Sequence, residues 1–211
     1  MNRIVIIGAG GHAASVADAL LATRQWDVIG LIAPDSEREA TVCGLAVVGN
    51  DSELERFARE GVAAAIGVGS IGDAAARTRV AARVREAGLA MPAVVHPRAS
   101  VSAHAHVGAG VFVAAGAVVG PHSVLGTCCI INSGAIVDHG CSIGAFAHIA
   151  PGAALSGDVH VGVGAHVGTG ASVIHGAVIG ERAVIGVGSA VVSDISADVI
   201  AWGVPCKEQR R

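Results

Sequence analysis

The chain has 211 residues, 52% of them hydrophobic and 2% aromatic, with a formal net charge of −3. That length allows two compact parts with an ample apolar core. The weak negative charge and the shortage of aromatics exclude a nucleic-acid partner, which needs basic patches and stacking platforms.

The five cysteines, Cys43, Cys128, Cys129, Cys141 and Cys206, show no CxxC pairing and read as reduced thiols of a cytoplasmic protein. Polar corners interrupt every apolar run short of the roughly 20 residues that span a membrane. Met1 to Ile4 leads straight into a strand without a cleavable signal pattern.

In chain order, residues 3–7 read as a buried strand, 8–13 as a glycine turn and 13–23 as a helix. A strand over 28–33, a helix over 51–60 capped by Asp51 or Ser52, a strand over 63–68 and a helix over 73–87 follow. This alternation predicts a small parallel, Rossmann-like α/β domain over residues 1–95. The turn Gly8-Ala9-Gly10-Gly11-His12-Ala13 resembles a dinucleotide fingerprint with Ala13 in the third glycine's place, offering backbone N–H groups and a helix start to phosphate. Asp27, the candidate ribose ligand, precedes the second strand instead of ending it, which speaks against a nicotinamide cofactor and for a pyrophosphate-bearing substrate.

From Val101 to Ser196 a six-residue unit repeats sixteen times, with Val, Leu or Ile at its first place and a small or β-branched residue four places on. No ordinary helix or hairpin has that period. Each unit holds one short strand and a turn, three units make a triangular lap, and residues eighteen apart lie above one another. A parallel β-helix over residues 96–200 and a short tail over 201–211 complete the expected organisation.

Between Ala99 and Gly180 only Asp138 and Asp158 carry a charge, so flat bare faces are left for copies of the chain, and a homotrimer is expected. The eighteen-residue lap stacks Asp158 over Gly140, Gly157 over His139, and His166 over His148. Both charges therefore gather around His139. The stacked pairs His104/His122 and His148/His166 raise zinc binding, but neither has a neighbouring carboxylate as a second partner, and no metal is expected. For His104, His106, His122, His160 and His175 the favoured reading is a solvated or capping side chain. Cys141, two residues from His139, is a rival nucleophile, disfavoured by its inward small position.

The whole chain resembles the NeuD/PglD-like sugar acetyltransferases, members of the left-handed β-helix acyltransferases. The resemblance rests on Gly8-Ala9-Gly10-Gly11-His12, His96-Pro97, Ile131-Asn132-Ser133-Gly134-Ala135, Val137-Asp138-His139, His148-Ile149-Ala150-Pro151-Gly152, Leu155-Ser156-Gly157 and Gly203-Val204-Pro205-Cys206-Lys207. It implies the left-handed sense of the coil, against the usual crossover rule. It also implies transfer of an acetyl group from acetyl-CoA to an amino group of a nucleotide-linked sugar, a UDP- or GDP-4-amino-deoxysugar.

By the same resemblance His139 is the general base, Asn132 and His148 line its pocket, and the Gly157 N–H meets the acetyl oxygen. Gly10, Gly11, His12, Asp35, Gly67 and Gly69 hold the nucleotide sugar. The acetyl-CoA site is expected at His148, Gly157, His166 and Lys207, with Arg210 and Arg211 near the CoA phosphates. Such members usually carry an acid directly after the catalytic histidine, whereas this chain has Gly140. Asp158 or Asp138 is expected to orient the imidazole instead. A sialic-type O-acetyltransferase and a catalytically impaired partner of a sugar synthase are the alternatives.

Overall fold

The computed structural model describes residues 2–209. Two compact units result: residues 2–69 with 75–97, and residues 70–74 with 98–209.

In the first unit, β1 (Asn2–Ile7), β2 (Trp26–Ile32), β3 (Thr41–Val42), β4 (Leu45–Gly49) and β5 (Ala63–Ile66) form a sheet of order β3-β4-β2-β1-β5. β1 is parallel to β2 and β5, and β4 is parallel to β2. Ile4 to Ile7 are buried, the continuous apolar run of a strand covered on both faces. Helix α1 (Gly11–Thr23) turns Ala13, Val16, Ala17, Ala19 and Leu20 inward and ends at Arg24, in the left-handed conformation.

Three details differ from the sequence expectation. β3 and β4 form an antiparallel edge hairpin that was not foreseen, because its short strands alternate partly exposed and exposed residues and carry no strong apolar signal. Asp51–Glu53 is a 3-10 turn leading into α2 (Leu54–Arg59), and the cap is Asn50, whose side chain accepts from Ser52 N–H, instead of Asp51 or Ser52. Helix α3 spans Ala75–Glu86, two residues shorter at its start than expected, and the preceding Ser70–Ala74 groups with the coil.

The second unit is a left-handed parallel β-helix. One face stacks Ser100–Val101, Val118–Val119, Ile136–Val137, Ala154–Leu155, Ser172–Val173 and Ala190–Val191. A second runs from His106–Val107 to Val178–Ile179, and a third carries Phe112–Val113, Ile130–Ile131, His148–Ile149, His166–Val167 and Val184–Ile185. Pairing is parallel and in the eighteen-residue register throughout: Ile136 opposes Ala154, Ser142 opposes His160, His148 opposes His166. The repeat aliphatics from Val113 to Val191 are buried, whereas Val101 and Val107, with no lap beneath them, are half-buried.

The glycines at the second place of the repeat are needed for lap-to-lap approach. A Cβ on Gly144 would stand 2.6 Å from the Val163 nitrogen, and one on Gly180 would stand 2.3 Å from the Ala197 nitrogen. Past the last full lap, Ile200–Trp202 joins the third face, and Lys207–Glu208 pairs antiparallel with it. The segment expected to leave the coil as a tail therefore extends its sheet.

Candidate active site

One corner of the coil carries most of the chemistry. His139, Gly157 and His175 follow the strands Ile136–Val137, Ala154–Leu155 and Ser172–Val173 of one face, on three successive laps. The His139 imidazole lies against the Gly157 main chain: a Cβ there would be 2.3 Å from Cε1, 2.5 Å from Nε2 and 3.0 Å from Nδ1. Both imidazoles are exposed, with Gly157 on the lap between theirs and ring centroids 6.3 Å apart.

The two carboxylates gather here but do not touch the base. Asp138 Oδ1 accepts from the His139 main-chain N–H at 2.7 Å. Asp158, a non-glycine residue at φ +58°, points Oδ1 over Gly140, where a Cβ would be 2.0 Å from that oxygen, and brings Oδ2 to 3.6 Å from His175 Nε2. Among the described residues the His139 ring has neither a hydrogen bond nor an ion pair. Direct orientation of that ring by Asp158 or Asp138, expected from the sequence, is thus not the arrangement seen. The carboxylate that fills the room of a side chain at position 140 faces His175 instead.

On the third face, His148 and His166 are nearly fully buried and meet edge to face, with centroids 4.9 Å apart. Asn132 Nδ2 donates to His148 Nε2 at 3.0 Å, and His148 Nδ1 donates to the Ser70 carbonyl at 2.8 Å, so both partners fix one neutral tautomer. Asn132 Oδ1 accepts from Ser133 N–H at 2.8 Å, which sets its amide orientation. Lys207 is exposed on the last strand of this sheet, three strands beyond His166 and roughly 14 Å from it. Arg210 and Arg211 lie outside the described residues. Among the described residues no group of three or more His, Cys, Asp and Glu is arranged to hold a metal.

Cys141 is buried; its Sγ–H donates to the Ser156 carbonyl at 3.3 Å, and its N–H is held by Ser123 Oγ. Burial raises its pKa, and the Asp138 and Asp158 charges add to the effect, so the sulfur stays a thiol. That is the wrong state for a nucleophile.

In the first unit, Gly10 is the N-cap of α1 and no side chain caps it. A Cβ on Gly10 or Gly11 would meet nothing within 4 Å, so there is open space beside the main chain where α1 starts. Gly67 and Gly69 are tight: a Cβ would be 2.9 Å from the Ala13 Cβ in the first case and 3.1 Å from the His12 Cβ in the second. His12 is partly buried, and burial, with the Arg77 charge as second cause, lowers its pKa to about 4. It is neutral at pH 7.

Asp35 lines a cleft of about 240 Å³ beside the ends of β2 and β4, with Pro34, Arg38, Asn50 and Glu53. Asn50 Nδ2 donates to Asp35 Oδ1 at 2.9 Å. Asp27 sits near the start of β2, away from this end. Arg38, Asn50, Glu53 and Ser70 are not singled out from the sequence, and His175 is taken there for a solvated or capping side chain. Only His175 had a usable signal, since it stands two whole laps after His139.

A single-file coil of this hand, with an imidazole over a main-chain glycine at an exposed corner, defines a hexapeptide-repeat acyltransferase. The family model for the PglD N-terminal domain matches residues 3–84. A histidine-to-asparagine mutant of perosamine N-acetyltransferase from Caulobacter crescentus, solved with CoA and GDP-perosamine, is 36% identical, with 100% of this chain and 98% of that chain covered and a TM-score of 0.92. The acetyltransferase domain of PglB from Neisseria gonorrhoeae FA1090, in complex with acetyl coenzyme A, is 32% identical over 99% of this chain and 100% of that one, with a TM-score of 0.92.

The chain belongs to the NeuD/PglD-like family of sugar acetyltransferases. WeeI from Acinetobacter baumannii AYE, 22% identical with a TM-score of 0.79 over 99% of this chain and 100% of that one, shares the fold. A search of curated proteins finds no match.

Proposed function

We propose that this protein transfers the acetyl group of acetyl-CoA to the amino group of a nucleotide-linked 4-amino-deoxysugar, with His139 as general base. The observation that carries this reading is the exposed His139 imidazole resting on the Gly157 main chain. Aminolysis of a thioester needs a neutral amine, a base for the proton it loses and a donor for the developing oxyanion. Imidazole supplies the base, and the Gly157 N–H is the oxyanion donor beside it. The amine attacks the thioester carbon directly, the C–N bond forms, the C–S bond breaks, and CoA leaves as the thiolate. A buried Cys141 thiol speaks against a covalent acyl-enzyme.

Support for the substrate class comes from family membership and from relatives solved with GDP-perosamine and CoA or with acetyl-CoA. The open turn at Gly10 and Gly11 suits a pyrophosphate, with neutral His12 as a hydrogen-bonding group, and the cleft at Asp35 suits the nucleoside. Gly67 and Gly69 keep that turn closely packed. The buried, tautomer-fixed His148 and its neighbour His166, with Lys207 further along the sheet, are assigned to acetyl-CoA.

Exposed Val118, Ile136, Val124 and Val178 on two coil faces suit a homotrimer. Five free thiols, with no helix among the described residues long and apolar enough to cross a membrane, suit the cytoplasm.

The test is CoA release with a panel of UDP- and GDP-linked 4-amino sugars, wild type against His139→Ala. Turnover that falls at least a hundredfold in the variant is expected. Wild type as silent as the variant on the whole panel would overturn the proposal and favour a non-catalytic partner. Turnover only with a hydroxyl acceptor would favour the O-acetyltransferase.

A further inference from the structure

We infer that His175, which faces the Asp158 carboxylate, is a positioning and proton-relay residue for His139, standing in for the acid that this chain lacks at position 140. The inference rests on the proposed acetyl transfer. Three observations meet at this corner. Gly140 offers no side chain, and the Asp158 carboxylate occupies the room that one would fill. That carboxylate turns its other oxygen to His175 Nε2 at 3.6 Å, not to His139. Gly157, whose φ is not in the left-handed region, is glycine for a different reason: a side chain there would strike the His139 ring.

The result is a row, Asp158–His175–His139, built from three laps. The centroid spacing of 6.3 Å has no direct ring-to-ring hydrogen bond and suits one bridging water. In the reaction His139 takes the proton that the attacking nitrogen loses, as the C–N bond forms and the C–S bond breaks with its electron pair on sulfur. The proton then passes through the water to His175, and from there to solvent. His139 is left neutral for the next amine. The Asp158 carboxylate stands on the lap between the two imidazoles. The other titratable groups facing this row are Asp138, whose Oδ1 is bound to main chain, and the buried Cys141 thiol.

His175 and Asp158 are both more than half exposed on their side chains. An exposed pair contributes little to stability, so His175→Gln and Asp158→Asn should melt with the wild type. Steady-state CoA release is measured on the full chain across pH 5.5 to 9. Expected are a roughly tenfold lower kcat in His175→Gln with both KM values within twofold, loss of one ionisation from its kcat profile, and partial rescue of His175→Ala by added imidazole. The double variant should lose no more than about threefold beyond His175→Gln, because both residues serve one step.

Unchanged kcat in His175→Gln, a loss carried by KM, no rescue by imidazole, or a double variant showing the product of both single losses would overturn the relay while leaving His139 as the base. Wild type inactive on every sugar would instead remove the parent reading along with it.

Discussion

Replacing Gly157 by alanine separates the fold from its chemistry. The new Cβ would stand 2.3 Å from His139 Cε1, and ordinary contact begins at 3.4 Å, so the ring must retreat by about 1.1 Å, the difference between the two. It can do so, because the obstacle is the end of a side chain with two torsions and Gly157 needs no left-handed φ. The main-chain N–H survives the substitution, so the loss falls on the base alone. A 1 Å misplacement of a reacting group costs on the order of a hundredfold in rate, or about 2.7 kcal/mol.

The assay is thiol release from acetyl-CoA, run beside a thermal melt. kcat should fall about a hundredfold with Tm within about 2 °C of wild type. Gly120→Ala is the control, since its Cβ would meet the His139 nitrogen at 2.6 Å and the Asp138 carbonyl carbon at 2.8 Å, atoms of main chain that cannot swing away. That variant should lose stability first. A Gly157→Ala enzyme with full kcat would refute the reasoning, for it would mean that His139 works from elsewhere.

Two further outcomes follow from buried groups. His12 has its pKa lowered from 6.5 to about 4 in the fold, so the unfolded chain binds the proton first. The stabilisation is complete above pH 6.5 and is lost as pH falls towards 4. At pH 5.5 it costs about 1.4 kcal/mol. Urea unfolding at pH 7.5 and 5.5 should show that difference in the wild type and not in His12→Gln; equal differences in both would remove His12 as the cause. Cys141→Ala should keep kcat within threefold, and mass spectrometry of a quenched reaction should find no acetyl group on the protein. A thioester at Cys141, or a hundredfold loss at normal Tm, would revive the covalent route.

The coil was legible because its signal is redundant. An aliphatic at every sixth residue and an eighteen-residue lap fix the stacking, and Ile136 over Ala154 follows by counting, whereas the hand of the coil is legible only through the family resemblance. The glycine turn before α1 was readable for the same reason, that a strand, a Gly run and a helix meet there. The β3–β4 hairpin was not, since two-residue Thr41–Val42 and half-exposed Leu45–Gly49 give too short a pattern to outweigh a loop.

At the corner, counting alone places His139, Gly157 and Asp158 on adjoining laps, but not which way Asp158 turns. Its carboxylate has two imidazoles within reach of its lap, and the choice depends on side-chain torsions that no repeat encodes. Ser70 under His148 is a contact seventy-eight residues apart in sequence, invisible to any local rule.

The spacing of this corner also limits how such a chain can change its length. Its parts sit at 139, 157 and 175, one winding apart each. Adding or losing one residue inside the windings between them would slip the register by one place of six, turn inward residues outward and scatter the cluster. A complete winding, or a loop budding outward from an apex, can be inserted above His175 or below His139 without disturbing it. Growth of the scaffold is therefore barred where the chemistry sits and comes elsewhere in whole windings or apex loops.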